Sequence, residues 1–231
     1  MKAYHGDYEL KAQVMKELAE HREADRLVKG RYWENGKGCA VGCLVKSDDH
    51  ELFSERYGIP VELVYLNDRT FERLENHLSQ QWPERFMGNI EPGADLSKVH
   101  LRFIYWLLTE FIVLEDREDK SANAVIDQCR VSIASVSKLL NRCINDENVS
   151  ENEWSAAQTA AETATWAAWA VAWAAVWAVQ AAARMAQPAA WAAMRAAQSA
   201  AWATDAAESV AWEAMSNKLI ELIKECEGEK E

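Results

Sequence analysis

Glycine and proline are scarce in this 231-residue chain, nine and four in all, and eight of those glycines and three of those prolines precede residue 94. The remainder has almost no helix breakers, which excludes a turn-rich β architecture there and leaves helix as the expectation. Cations are also in short supply: 25 Lys and Arg stand against 37 Asp and Glu, a net charge of −12. Phosphate backbones are bound by clustered Lys and Arg, and no such cluster exists here, so nucleic acid is excluded as a partner and an anionic membrane is disfavoured. Cysteine is sparse, odd in number and scattered (Cys39, Cys43, Cys129, Cys143, Cys226). That is not the dense, even pattern of a disulfide scaffold and fits a reducing cytoplasm. The opening residues Met1 to Asp7 contain no apolar stretch, so no signal peptide is expected.

One run lacks charge altogether, the 21 residues from Thr163 to Ala183, about the length that crosses a bilayer. Alanine gains little in hydrocarbon, Gln180 and the threonines interrupt the run, and no cation cluster flanks it, so no membrane span is expected.

A chain of this length can bury a core without metal or disulfide staples. Leu10, Val14, Leu18 and Leu27 recur at helical spacing over Asp7 to Val28, with Asp7 as N-cap and Gly30 beyond the end. Asn35-Gly36 marks a turn, and Gly38 and Gly42 bracket a very short helix or tight loop. Ser47 is the expected cap of a helix to Tyr57, closed by Gly58, and Pro60 opens another running to about Gln80. Residues 81 to 95 read as a loop. Leu96 to Glu115 is apolar enough for a central core helix, and Ser121 to Cys143 forms a further helix that buries Val125, Ile126, Cys129, Ile133, Val136, Leu139 and Leu140. The polar stretch Asn145 to Asn152 is the expected boundary between an N-terminal helical domain, 1–148, and a C-terminal region, 149–231.

What the sequence has in abundance is alanine: 29 of the 62 residues from Trp154 to Met215, accompanied by eight tryptophans. At 100° per residue Trp166, Trp169, Trp173 and Trp177 fall within about 80° of one another, a ladder on one helix face. The stripe continues through Gln180, Arg184, Gln187, Trp191, Arg195, Gln198, Trp202 and Asp205, with Glu162 upstream. Burying those charges unpaired would be costly, so the stripe is expected to face water or a wet groove, with alanine as the packing surface. The competing reading makes the tryptophans core and the polar residues its rim. Pro188 is expected to separate two antiparallel helices. The fold class is therefore all-α, a multi-helix bundle ending in an Ala/Trp-rich helical pair. Alanine faces of this kind also suit packing against a second copy of the chain, a homo-oligomer.

The densest group of chemically useful residues lies between Lys29 and Val45. Asn35-Gly36-Lys37-Gly38 can present backbone amides to an anion, Lys37 or Arg31 can add charge, and Trp33 can stack on a planar base. The spacing is not that of a Walker loop or a dinucleotide fingerprint, so a purely structural glycine turn is the competing reading. Cys39 and Cys43, at i, i+4, could join His21 or His50 in a zinc site or a thiol nucleophile, the basis of an alternative reading as a hydrolase or metal-dependent enzyme. His21 and Asp25 stand one turn apart, as a hydrogen-bonded pair would.

The run Gly30-Arg31-Tyr32-Trp33-Glu34-Asn35-Gly36-Lys37-Gly38-Cys39-Ala40-Val41-Gly42-Cys43, followed by Ala-rich helices and the closing Lys218-Leu219-Ile220-Glu221-Leu222-Ile223, resembles an uncharacterised family of bacterial and phage proteins. The likeness covers most of the chain. It implies a role in host–virus conflict, such as sequestering a nucleotide signal or blocking a defence protein, and it brings no catalytic residue or cofactor. The expectation is a non-enzymatic, cofactor-free binding protein for a small nucleotide-like ligand or a protein partner. Its candidate contacts are Arg31, Trp33, Asn35, Lys37, Gly38 and Cys39 in the loop and Trp166, Trp169, Trp173, Trp177 and Arg184 on the stripe.

Overall fold

The computed structural model describes residues 1–112, 120–168 and 205–226. The chain is all-α apart from one small ribbon among these residues, and it divides into two compact units, Met1–Val99 with Trp212–Glu231, and His100–Ala211.

The first unit opens with α1, Tyr8–Glu23, whose N-cap is Asp7: its carboxylate accepts from the Glu9 and Leu10 amides at 2.7 and 3.1 Å. The helix stops earlier than the Leu10 to Leu27 periodicity predicts. Asp25 adopts a left-handed φ of 51°, its amide donates to the Arg22 carbonyl, and the Arg26 amide reaches back to the His21 carbonyl at 2.9 Å. Those two bonds satisfy the last carbonyls of α1 and turn the chain back along the helix.

The returning chain meets a ribbon of two antiparallel strands, β1 (Trp33–Glu34) and β2 (Lys37–Gly38). Asn35 and Gly36, with φ of 52° and 79°, form its two-residue turn, the left-handed pair that Asn-Gly favours. Gly38 also pairs with the returning chain: its amide donates to the Arg26 carbonyl at 2.9 Å and its carbonyl accepts from the Val28 amide at 2.8 Å. The following short helix α2, Gly42–Val45, is buried throughout.

Asp49 caps α3, His50–Tyr57, by accepting from the Leu52 amide at 2.8 Å, and Gly58 ends it at a φ of 64°. The expected cap Ser47 instead accepts from the Asp49 amide at 3.3 Å. Helix α4, Val61–Arg73, follows Pro60, and α5 runs over Asn76–Gly88. Here the sequence reading is corrected. The chain breaks at Leu74 and Glu75, both extended, and 81–88, expected as loop, is helix with Pro83 inside it. A proline inside a helix costs about 3 kcal/mol, whereas full burial of one large apolar side chain contributes about 1.5–3 kcal/mol. Burial of Trp82, Phe86 and Met87, with the Trp82 indole donating to the Asn67 carbonyl at 3.0 Å, therefore outweighs the proline.

Helix α6, Val99–Trp106, gives way to a π turn, Leu107–Phe111, in place of the uniform α-helix expected to Glu115. In the second unit α7 (Lys120–Ile144) and α8 (Glu151–Ala168) form a helical hairpin. Within Asn145 to Asn152, the stretch expected to hold the boundary, residues 145–150 form the turn of that hairpin. On α7 Ile126, Cys129, Val136, Leu139 and Leu140 are buried as expected, and Ile133 is half-buried. Ala157 is the only fully buried side chain described on α8. Helix α9, Asp205–Glu225, buries Trp212, Met215, Leu219 and Ile223 at helical spacing, and its Asn217 accepts from the Arg85 guanidinium of α5 at 2.7 Å. No helix among the described residues is long and apolar enough to cross a membrane.

Candidate functional site

The early stop of α1 and the return of the chain create a cleft of about 710 Å³ in the first unit. One wall is a face of α1, where Gln13, Lys16, Glu17, Glu20, His21 and Ala24 recur at alternating steps of three and one. The other is built from Arg26, from Trp33, Asn35, Gly36 and Lys37 of the ribbon, and from Lys46 just past α2.

Two glycines fix that second wall. A Cβ on Gly38 or Gly42 would lie 2.0 or 1.4 Å from the Tyr32 carbonyl oxygen, so only glycine lets the entry to β1 pack on α2. The Cys39 amide donates to the Arg31 carbonyl at 2.7 Å, which holds the same contact from the other side. Lys46, with a φ of 59°, donates its amide to the Gly42 carbonyl at 2.7 Å, and the Leu44 carbonyl accepts from the Arg56 guanidinium at 3.0 Å.

His21 is the floor residue. It is 4% exposed, its ring stands edge-on to Trp33 with centroids 5.8 Å apart, and its Nδ1 has no hydrogen-bond partner. Its Nε2 lies 3.7 Å from the Glu17 carboxylate, too far for a hydrogen bond. Burial lowers the affinity of this imidazole for a proton, and Glu17 opposes that shift. The expected partner Asp25 has left the helix at the left-handed turn, and the carboxylate beside His21 is that of Glu17, one turn earlier. Lys16 pairs with Glu20 at 3.9 Å, whereas Arg26, Lys37 and Lys46 form no ion pair with any described carboxylate.

Of the loop residues expected at a ligand, Trp33, Asn35 and Lys37 line the cleft. Arg31 pairs instead with Glu34 at 2.8 Å on the surface. Gly38 and Cys39 are buried, and their amides are already bonded to the Arg26 and Arg31 carbonyls, so those amides do not face the cleft. On the stripe, Trp166 belongs to α8, and Trp169, Trp173, Trp177, Arg184 and the turn expected at Pro188 lie outside the described residues. Sequence reading missed Lys16, Glu17, Glu20, Arg26 and Lys46. The spacing of Lys16, Glu17 and Glu20 on α1 was visible, but a polar helix face reads as solvated until something is known to face it, and Arg26 and Lys46 lie outside that helix.

The cysteine and histidine candidates divide around two carboxylates, Cys39 and His50 beside Asp68 and Cys43 and His21 near Glu17. Burial pushes the Cys43 thiol up to about 12 and the Cys39 thiol further, with the Asp68 carboxylate adding to the latter. That burial favours the protonated thiol over the thiolate that a nucleophile needs. Cys43 Sγ donates to the Gly38 carbonyl at 3.4 Å, and the Cys39 sulfur accepts from the Gly42 amide at the same distance. His50 stacks on Tyr65 with centroids 4.3 Å apart and lies 3.5 Å from Asp68. Among the described residues no three His, Cys, Asp or Glu side chains are grouped to hold a metal ion.

Compared with known proteins, the chain matches no family model, no curated protein and no solved structure.

Proposed function

We propose that this chain is a binding protein whose cleft between α1 and the ribbon holds a small, planar, anionic ligand of nucleotide type. A reversal of charge carries the reading. On a chain of net charge −12, the unpaired cations Arg26, Lys37 and Lys46 converge with Trp33 on a single cleft. An exposed cation without a partner gains little where it stands, whereas three together raise the local concentration of an anion. The indole supplies a flat apolar surface for a base, and the cleft's volume is that of a small-molecule site.

Retention of such a ligand needs no turnover and no cofactor, which suits sequestration of a nucleotide signal in the cytoplasm during host–virus conflict. Blocking of a protein partner through the tryptophan stripe is the other form of the same role.

Equilibrium dialysis against nucleoside monophosphates and cyclic nucleotides tests the reading. Saturable one-to-one binding is expected, reduced at least tenfold by the double substitution Lys37→Glu, Lys46→Glu. Absence of binding across the whole panel at millimolar concentration would reject it.

A further inference from the structure

The two walls of the cleft differ in sign. The α1 wall brings Lys16, Glu17 and Glu20, and because Lys16 pairs with Glu20, Glu17 is left as the unneutralised acceptor. The facing wall brings Arg26, Lys37 and Lys46 with no carboxylate. A simple anion is attracted to the second wall and repelled by the first. A ligand that is anionic at one end and rich in hydrogen-bond donors at the other satisfies both.

Resting on the nucleotide reading above, we infer that the cleft selects nucleotides whose base carries an exocyclic amino group, and that Glu17 is the specificity-determining residue. The phosphate sits toward Arg26, Lys37 and Lys46, the base lies on Trp33, and the amino group donates to the Glu17 carboxylate. His21, almost wholly buried, lines the cleft with its ring edge-on to the Trp33 indole on which the base lies. Glu17 and His21 stand 3.7 Å apart, beyond hydrogen-bond length, so the Glu17 carboxylate retains bonding capacity for the ligand.

The physical consequence is discrimination between amino and oxo bases. Adenine and cytosine present N–H donors to a carboxylate, while hypoxanthine and uracil present a carbonyl oxygen at the same position and meet like charge. A site built to accept a donor rejects an analogue without one far more strongly than an apolar pocket rejects a change of size.

Isothermal titration of the intact chain with AMP, IMP, CMP and UMP provides the test. AMP is expected to bind at least tenfold more tightly than IMP, and CMP than UMP. In Glu17→Gln the AMP-to-IMP ratio should collapse toward one, with IMP affinity retained or raised. Equal affinity of the unaltered protein for AMP and IMP would overturn the selectivity while leaving the nucleotide reading standing, and this comparison needs no variant. A ratio unchanged in Glu17→Gln would remove the role assigned to that residue. Binding of none of the four would reject the selectivity and the nucleotide reading together.

Discussion

Gly36 and Gly42 sit in the same stretch of chain and are glycine for different reasons. At Gly36 the requirement is conformational: φ is 79°, and a Cβ there meets nothing within 4 Å. At Gly42 it is steric, since a Cβ would enter the Tyr32 carbonyl. Gly36→Ala should therefore cost about 1 kcal/mol from the left-handed turn alone. Gly42→Ala should cost about 1–3 kcal/mol from overpacking and should also displace the wall that carries Trp33 and Lys37. Urea midpoints rank the two, and an alanine at 42 tolerated as well as one at 36 would contradict the packing described. Thiol chemistry belongs at this scale too. Because Cys39 and Cys43 are buried and held as thiols, both should resist a thiol-disulfide reagent at pH 7.5 until urea unfolds the chain, while the half-buried Cys143 reacts first. Peptide mapping of the labelled sites gives the order.

Among the elements, the α7–α8 hairpin shows how a short polar sequence becomes a defined turn. Ser150 and Glu153 form a capping box: the Ser150 amide donates to the Glu153 carboxylate at 2.9 Å, and the Glu153 amide returns to the Ser150 hydroxyl at 3.3 Å. Arg142 of α7 donates to the same carboxylate and, at 2.6 Å, to the Asn148 carbonyl. The Ser150 amide, followed by Arg142, holds the Glu153 carboxyl down at about 2, against an ordinary value near 4.5. A carboxyl depressed in the folded state lends its stabilisation fully above its unfolded value and loses it as pH falls toward the folded one. Amide-exchange protection at the start of α8 should therefore fall between about pH 4.5 and pH 2, and Glu153→Gln should abolish that dependence. The Ser-x-x-Glu pattern was there to be read, but polarity alone made this stretch look like a domain boundary. The break between α4 and α5 has no glycine or proline to mark it, since Leu74 and Glu75 are ordinary helix formers, and the residues expected as loop after Gln80 include Trp82, Phe86 and Met87 at helical spacing.

For the whole molecule, net charge and local charge make opposite demands. A chain of −12 repels anions at long range, while Arg26, Lys37 and Lys46 attract them at contact. The screening length shrinks from about 14 Å at 50 mM salt to about 4 Å at 500 mM, so added salt weakens an exposed attraction of this kind. Nucleotide affinity should accordingly fall several-fold over that range in the unaltered protein and far less in the Lys37→Glu, Lys46→Glu variant. Dialysis at the two salt concentrations measures it. An affinity indifferent to salt would place the ligand away from the cationic wall.

Composition and pattern by themselves determined the all-α class, the caps at Asp7 and Gly58, the Asn-Gly turn and the buried face of α7. Each depends on residues within a turn or two of one another, so a linear reading reaches them. The cleft depended on tertiary structure. Trp33, Asn35 and Lys37 were conspicuous as a cluster, yet their opposite wall comes from the start of the chain, brought there by the left-handed turn at Asp25 and the close approach permitted by Gly38 and Gly42. Cys39, Cys43, His21 and His50 had looked like one chemical group. Packing divided them, burying both thiols, setting Cys39 and His50 beside Asp68, and leaving His21 in the cleft next to Glu17, because burial and partner geometry are properties of the folded chain and not of spacing along it.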